Sequence, residues 1–367
     1  MNLLSLPTRY DWKKLQDFCA NVFSAAGVKK EVADVVADSL IQADLRGVES
    51  HGVVRTAIYL KRIEQDMIDP FAEVEIENES VATALVNGKN QFGSVVGTKA
   101  LEVAIKKAKE NGAALVGVKG SNHFGTGAYY ALKAIEQEMI LLVVSNASQT
   151  MPPTGGIRPF IGTNPLAVGV PAGKEEPFIM DMATSLVARG KIIVAAQKGE
   201  SIPLGWAIDK GGNPTTDAEA ALEGSVLPMG GPKGYAISMF IDILAGVLTG
   251  AGFGKYVNNM YENWEEPQNV GHFFIAIDIK KFIPIELFKQ RMDQYICEIK
   301  AEPKAPNVEE IFIPGELEHR KVIEKKTNGI ELPLKVVQEL QKIGERYGLD
   351  ITQAQITLNT EEVTNNG

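Results

Sequence analysis

Cysteine is nearly absent. The two present, Cys19 and Cys297, are too few for a disulfide framework and too far apart in sequence for a zinc site. Cys19 falls on an apolar helical stripe with Leu15, Val22 and Phe23, so it reads as a buried thiol. Histidine is sparse, four in all, and no two share zinc-ligand spacing, so no metal site is expected. Positive charge is in deficit, with 37 Lys and Arg against 46 Asp and Glu and a net charge of -9. Binding along a phosphate backbone needs a basic surface, so nucleic acid is not an expected partner. A small anion needs only local positive charge. Three fingerprints are also missing: G-x-G-x-x-G after a strand, a Walker loop and G-x-S-x-G. Their absence argues against an ordinary Rossmann domain, a P-loop nucleotidase and an α/β-hydrolase. The opening MNLLSLPTRYDWKK has too short an apolar part for a secretory signal. With so little cysteine, a cytoplasmic setting is expected.

Long apolar runs are absent but for Tyr235–Phe253, YAISMFIDILAGVLTGAGF. This run approaches the length of a bilayer span. Asp242 in its middle would be costly in lipid, so the run reads as a core helix and no membrane partner is expected.

What is present is an ordinary globular composition, 45% hydrophobic and 23% charged, over 367 residues. At about 100–200 residues per domain, this length suits one large domain or two closely joined ones. The first part reads as helical: 11–27 ending at Gly27, 30–46, and a third helix after Gly52 carrying Arg55, Tyr59 and Ile63. Strand and helix patterns then alternate. Strands are expected at 80–86, 113–118, 140–145, 166–170, 178–182, 206–209 and 272–279. Helices are expected at 98–112, 126–139 and 185–198. Amphipathic helices follow at 284–297 and 333–347, and the last dozen or so residues are polar and should fray. The expectation is an α/β fold with a mixed sheet in residues 76–283, plus a mainly helical domain from 1–75 with 284–367.

Five segments carry candidate chemistry. In RGVESHGVVR, 46–55, a histidine that passes protons near neutral pH stands four residues before an arginine that grips carboxylates. A helix starting near His51 would put Arg55 on the same face; a capped helix start, with Ser50 as N-cap and a merely polar His51, is the competing reading. In GSNHFGTGAYY, 120–130, Asn122 and His123 follow a strand, where ligands of α/β folds gather. A glycine-rich turn with a hydrogen-bonding histidine fits the same residues. In 151–173, Thr163 and Asn164 sit in a rigid loop able to donate to a ligand or simply to turn the chain. In FIMDMATSLVARGK, a helix start beside Thr184 and Ser185 would suit a cofactor phosphate, or be an ordinary cap. In LPMGGPKGYAIS, Lys233 between glycines opens a very apolar helix and favours phosphate or ribose, or faces solvent as a cap. His272 and His319 read as structural or exposed, and the PGE of 314–316 as a turn.

Taken in order, RGVESHGVVR, SNHFGTG, GTNPLAVGVPAG, DMATS, LPMGGPKG, GHFFIAID and PGE closely resemble the malate/L-lactate dehydrogenase family, from about residue 10 to 350. The resemblance implies an unusual, non-Rossmann NAD(P)-binding domain, which agrees with the missing glycine fingerprint. It implies a close homodimer and, as cofactor, NAD or NADP. It makes His51 and His123 the candidates for proton transfer. Ser50, Arg55, Asn122, Thr163 and Asn164 become the substrate side. Asp181, Met182, Ala183, Thr184, Ser185, Lys233, Gly234, Gly315 and Glu316 become the cofactor side. The implied reaction exchanges hydride between a nicotinamide and a small 2-hydroxy or 2-oxo acid of the malate, lactate, sulfolactate or ureidoglycolate kind. A cyclic imino acid or a sugar-derived 2-oxo acid would use the same chemistry. A non-catalytic dinucleotide-binding protein is the remote alternative. A hydrolase using Ser50 and His51 is disfavoured, because adjacent side chains seldom form a nucleophile–base pair.

Overall fold

The computed structural model describes residues 8–356, so the tail expected to fray lies beyond them. The chain divides into two compact units. One holds the described residues through Lys61 and those from Leu317 onward; the other is Arg62–Glu316.

The first unit begins with β1 (Arg9–Tyr10), α1 (Trp12–Ala25) and α2 (Lys30–Leu45). Asp11 caps α1 by accepting the N–H groups of Lys13 and Lys14, and Gly27 leaves it at φ +92°. Leu15, Cys19, Val22 and Phe23 of α1 and Val36, Leu40 and Ile41 of α2 are buried, so the apolar spacing of both helices makes this core. The helix expected after Gly52 is present, opening as a 3-10 turn, Val53–Arg55, that runs into α3 (Thr56–Glu64) with Tyr59 and Ile63; a separate 3-10 turn, Glu49–His51, precedes Gly52. Gly52 is extended between the turns and interrupts them.

The second unit is built on a sheet. Its elements in chain order are β2 (Glu75–Glu79), β3 (Thr83–Asn87), α4 (Gly93–Asn111), β4 (Ala113–Ser121), α5 (Gly127–Ile135), β5 (Met139–Ser145), β6 (Leu166–Val170) and β7 (Phe178–Met182). Then come α6 (Arg189–Lys198), β8 (Ala207–Ile208), β9 (Pro214–Thr215), α7 (Ala218–Glu223), β10 (Ser225–Val226), α8 (Pro232–Asp242), β11 (Val270–Asp278) and α9 (Ile285–Ala301). The chain closes with α10 (Glu316–Asn328), β12 (Ile330–Glu331), which pairs with β1, and α11 (Leu334–Tyr347).

The sheet has seven strands in the order β2-β3-β4-β11-β5-β6-β7. Only β3 and β4 pair in parallel; every other neighbour is antiparallel. This is the mixed α/β sheet the alternation implied. Side chains alternate across it, as the two-residue period of a strand requires. Val143 and Phe274 face a core shared with Val96, Ala100 and Ala104 of α4 and Tyr130 of α5. Val144 and Phe273 face the other side, against Ile241 of α8. A small satellite core joins α6, α7 and the short sheet β10-β8-β9.

Two expectations need correction. The run 235–253 is not a buried core helix. It is α8 followed by a π-helical turn, Ile243–Val247, and one side is open: Phe240 is 59% and Leu248 62% exposed. Only one side of this helix is covered within the chain, so the apolar composition of the run does not mean burial on all sides. Asp242 is buried, accepting from Asn146 Nδ2 at 3.2 Å and from the Gly254 N–H at 2.9 Å. Among the described residues no helix is long and apolar enough to cross a membrane. The second correction concerns the DMATS segment, which does not open a helix: α6 starts only at Arg189. Ser185 is held by a bridge to Pro228, and its hydroxyl donates to Val187 O at 2.8 Å.

Candidate active site

In the first unit, the candidate residues share Ser50. Its hydroxyl lies 2.9 Å from His51 Nδ1, and its carbonyl accepts Arg55 Nε–H at 2.7 Å. His51 and Arg55 are therefore tied through one residue rather than by a common helix face. Burial and the Arg55 charge push His51 down to about 4, so its ring is neutral at pH 7. Burial also lowers Arg55, but a guanidinium remains a cation. The arrangement offers a neutral imidazole beside a planar cation suited to a carboxylate.

In the second unit, the sheet directions gather the loops. β4 and β5 both oppose β11 and so run together; β3 runs with β4, and β7 with β5. Their carboxyl ends, Asn87, Ser121, Ser145 and Met182, therefore share one edge of the sheet, and the chain enters β6 and β11 from that edge. This is the edge where open α/β sheets bind ligands. Asn122 is buried there, and its Nδ2 donates to Asn90 Oδ1, Asn90 O and Gln91 O. The His123 N–H donates to Gln268 Oε1 at 3.0 Å. His272 lies deeper, between Ser145 Oγ at 2.9 Å and Ser121 Oγ at 2.8 Å, stacked on Phe124. Burial pushes it down to about 3, so it is a neutral structural ring.

The segments assigned to cofactor meet around β7. The Thr184 N–H donates to Thr163 O at 3.0 Å, and the Met229 N–H donates to Thr184 O at 2.9 Å. At the other end of β7, the Ile179 N–H donates to Pro314 O at 2.9 Å. Gly315, at φ +102°, packs on Ile179. A Cβ on Gly234 would lie 2.1 Å from Met229 O, so only glycine fits that close approach. Several of the named side chains are already committed to the protein. Asn164 accepts the Ala147 N–H and donates to Ser238 O. Asp181 Oδ2 accepts the Ala128 N–H at the start of α5. Glu316 is buried, pairs with Lys300 at 2.6 Å and accepts the Ile313 N–H. Met182 and Ala183 are half-buried, and Lys233 is exposed at the start of α8.

Three hydroxyls on the same sheet edge have no partner although they are buried: Thr126, Thr150 and Thr184 Oγ1. A buried polar atom left unpaired is costly, and these three are donors and acceptors suited to the ribose and amide groups of a dinucleotide. With Lys233 available for phosphate, the residues present fit NAD or NADP. Sequence reading named only Thr184; Thr126 and Thr150 look like ordinary cap and loop threonines until their neighbours are known.

Beside this edge is a cavity of 790 Å³, within the range of small-ligand pockets. Its walls include Ser148, Arg158, Lys255, Asn258 and Trp264, with Glu262 and Glu265 also lining it. The Asn258 N–H donates to Gln268 O at 3.0 Å, so the cavity wall and the His123 backbone are held by one residue. Arg158 and Lys255 were not singled out from the sequence, because isolated cations in loops carry no spacing signal.

A family model described as malate/L-lactate dehydrogenase matches residues 10–341. Malate dehydrogenase of Pyrococcus horikoshii is 42% identical over 345 residues, 92% of this chain and 95% of that one. Ureidoglycolate dehydrogenase (NAD(+)) of Escherichia coli K12 is 36% identical over 326 residues, 89% of this chain and 93% of that one. The solved sulfolactate dehydrogenase of Methanocaldococcus jannaschii superposes with a TM-score of 0.89 at 39% identity, covering 94% of this chain and 99% of that one.

Proposed function

Because the chain belongs to the malate/L-lactate dehydrogenase family, we propose that it is an NAD(P)-dependent oxidoreductase interconverting a small 2-hydroxy acid and its 2-oxo acid, with His51 as the proton-transfer residue. The observation that carries this reading is the tie of His51 and Arg55 through Ser50. When bound, the nicotinamide supplies or accepts the hydride at the carbon bearing the oxygen. Arg55 holds the substrate carboxylate, and the fixed position it gives the acid lowers the barrier. Ser50 Oγ, 2.9 Å from Nδ1, sets which ring nitrogen faces the substrate oxygen. In the oxidative direction the neutral His51 ring takes the hydroxyl proton at Nε2. In the reductive direction the protonated ring gives it back. A carboxylate bound to Arg55 offsets the charge that depresses His51, so binding itself raises the proton affinity of the ring. Thr126, Thr150, Thr184 and Lys233 would hold the dinucleotide.

We assign recognition of an anionic group to the 790 Å³ cavity of the second unit, through Arg158 and Lys255. The open apolar side of α8 and its π turn supports a homodimer, with Met239, Phe240, Val247 and Leu248 covered by a second copy. Two free cysteines, one of them buried, support a cytoplasmic setting.

The test is oxidation of NADH and NADPH against pyruvate, oxaloacetate, sulfopyruvate, a sugar-derived 2-oxo acid and a cyclic imino acid. His51→Ala and His123→Ala are run beside the parent, with sedimentation of the parent and Phe240→Glu. Turnover lost in His51→Ala supports the assignment. Loss only in His123→Ala transfers the proton to His123, and no turnover with any acid removes the oxidoreductase reading. Phe240→Glu should sediment as a monomer; an unchanged dimer would place the interface elsewhere.

A further inference from the structure

Asp44 stands in the last turn of α2 and is buried, 1% exposed. The C-terminal end of a helix disfavours a negative charge, and burial disfavours it further. Among the described residues its carboxylate has no cation within ion-pair distance. Lys325 Nζ passes it by, donating to the Asp44 backbone carbonyl at 2.8 Å and reaching Glu49 Oε1 at 3.3 Å.

What the carboxylate does hold is the junction between the two 3-10 turns. Asp44 Oδ2 accepts the Val53 N–H at 2.8 Å. Gly52 presses against the same group: a Cβ there would lie 1.9 Å from Oδ1, 2.1 Å from Cγ and 2.3 Å from Oδ2. The φ of Gly52 is −85°, outside the left-handed region. The glycine after His51 is therefore required by the carboxylate beneath it and not by its own backbone angle. His51 lies immediately before this junction and Arg55 two residues after Val53.

We propose that Asp44 is the positioning residue of the His51–Arg55 segment. By holding the Val53 N–H and by seating Gly52, it fixes the extended link between the turns, and hence the spacing of the proton-transfer ring from the carboxylate-binding guanidinium. This rests on the roles given above to His51 and Arg55. The charged and titratable groups facing Asp44 are Glu49 from the first 3-10 turn, Lys325 from α10 and Cys19 from α1. Burial raises the Asp44 acid to about 7; the Val53 N–H and Lys325 act against that rise and Glu49 with it. The ionised form is the stronger acceptor for Val53, so the link is held more tightly above neutral pH.

The experiment compares the full-length parent with Asp44→Ala, Asp44→Asn and Gly52→Ala. It measures kcat and KM on the preferred acid across pH, NADH affinity by fluorescence titration, and the titration of the His51 ring by NMR. Asp44→Ala should lose about 10²-fold in kcat/KM, the scale of a misplaced catalytic group, with NADH affinity unchanged. Its His51 ring should titrate higher than in the parent, because an opened turn admits water. Asp44→Asn, which keeps an acceptor for Val53, should recover most of kcat and lose an ionisation near pH 7. If Asp44→Ala fails to fold, Gly52→Ala, which must displace the carboxyl group, should give the same loss of activity and the same His51 shift. Unchanged kcat/KM and unchanged His51 titration in the folded variants would overturn the proposal. Equal losses in Asp44→Asn and Asp44→Ala with an unmoved His51 ring would also overturn it. A shifted His51 ring in a protein with no turnover on any acid would sustain the positioning role and remove only the reading of the reaction.

Discussion

Asp181 accepts the Ala128 N–H at 2.8 Å, so a carboxylate at the end of β7 caps α5 from another strand. Thr126, which occupies the N-cap position, makes no cap bond, and its hydroxyl is left unpartnered. Asp181→Ala should therefore cost about 1 kcal/mol, the usual worth of an N-cap, and Asp181→Asn less, since an acceptor remains. Urea unfolding reads this directly. An equal midpoint for parent and Asp181→Ala would show that α5 does not depend on this bond.

The depressed acidity of His51 gives opposite pH behaviour in the two directions. Oxidation needs the neutral ring, so kcat/KM for the hydroxy acid should rise through about 4, with a smaller further rise near 7 as Asp44 ionises. Reduction needs the protonated ring, so kcat/KM for the oxo acid should fall as pH rises above about 4. The break in kcat, which reports the bound complex, should lie at higher pH, because the substrate carboxylate offsets Arg55. Coincident breaks in kcat and kcat/KM would count against this coupling.

Arg55→Lys is expected to behave as a loss and not as a conservative change. Arg55 spends Nε on Ser50 O at 2.7 Å while presenting a planar fork, and an ammonium cannot do both. About 10²-fold in kcat/KM is expected, on the order of the 2–3 kcal/mol typical of a lost charged hydrogen bond. Near-parental kinetics in Arg55→Lys would argue that the carboxylate is held elsewhere.

For the cavity, Arg158→Ala and Lys255→Ala should change the ranking of acids more than the rate with the smallest one. The ratio of kcat/KM for oxaloacetate to that for pyruvate should drop in both variants. A uniform loss across the panel would show that these cations act on folding or cofactor and not on choice.

His272→Gln should destabilise the second unit by about 1–3 kcal/mol at neutral pH, because two buried serine hydroxyls lose a partner. The sign of its pH effect follows from its folded value of about 3, below the ordinary 6.5. The unfolded chain binds the proton first, so stability is full above 6.5 and is lost as pH falls from 6.5 toward 3. In His272→Gln that part of the acid loss should vanish, giving a shallower decline. The same slope in both proteins would mean that the ring does not stay neutral in the fold.

Strands β6 and β7 lie where their sequence pattern ends them, and α2 ends within one residue of its pattern. Short apolar runs bounded by turn residues fix such boundaries locally. α6 starts four residues late, since the pairing of Ser185 with Pro228 holds the DMATS turn out of the helix. α10 was missed because its polar run, ELEHRKVIEKKTN, has no apolar period to announce it. Asp44 gave no signal either: an acid in the last turn of a helix looks solvated until the following turn folds back over it.

The order of motifs along the chain determined the family, and with it the class of chemistry. Residue types and local spacing determined most of the elements. The tertiary structure alone decided which polar groups are spent on the protein and which remain for a ligand. Asn164 and one oxygen of Asp181 are bonded to partners distant in sequence and Glu316 to Lys300 and Ile313, whereas Thr126, Thr150 and Thr184 are buried with hydroxyls unmatched. A hydrogen bond depends on two groups meeting within about 3 Å in the folded chain, and no spacing in sequence measures that distance for groups on separate strands.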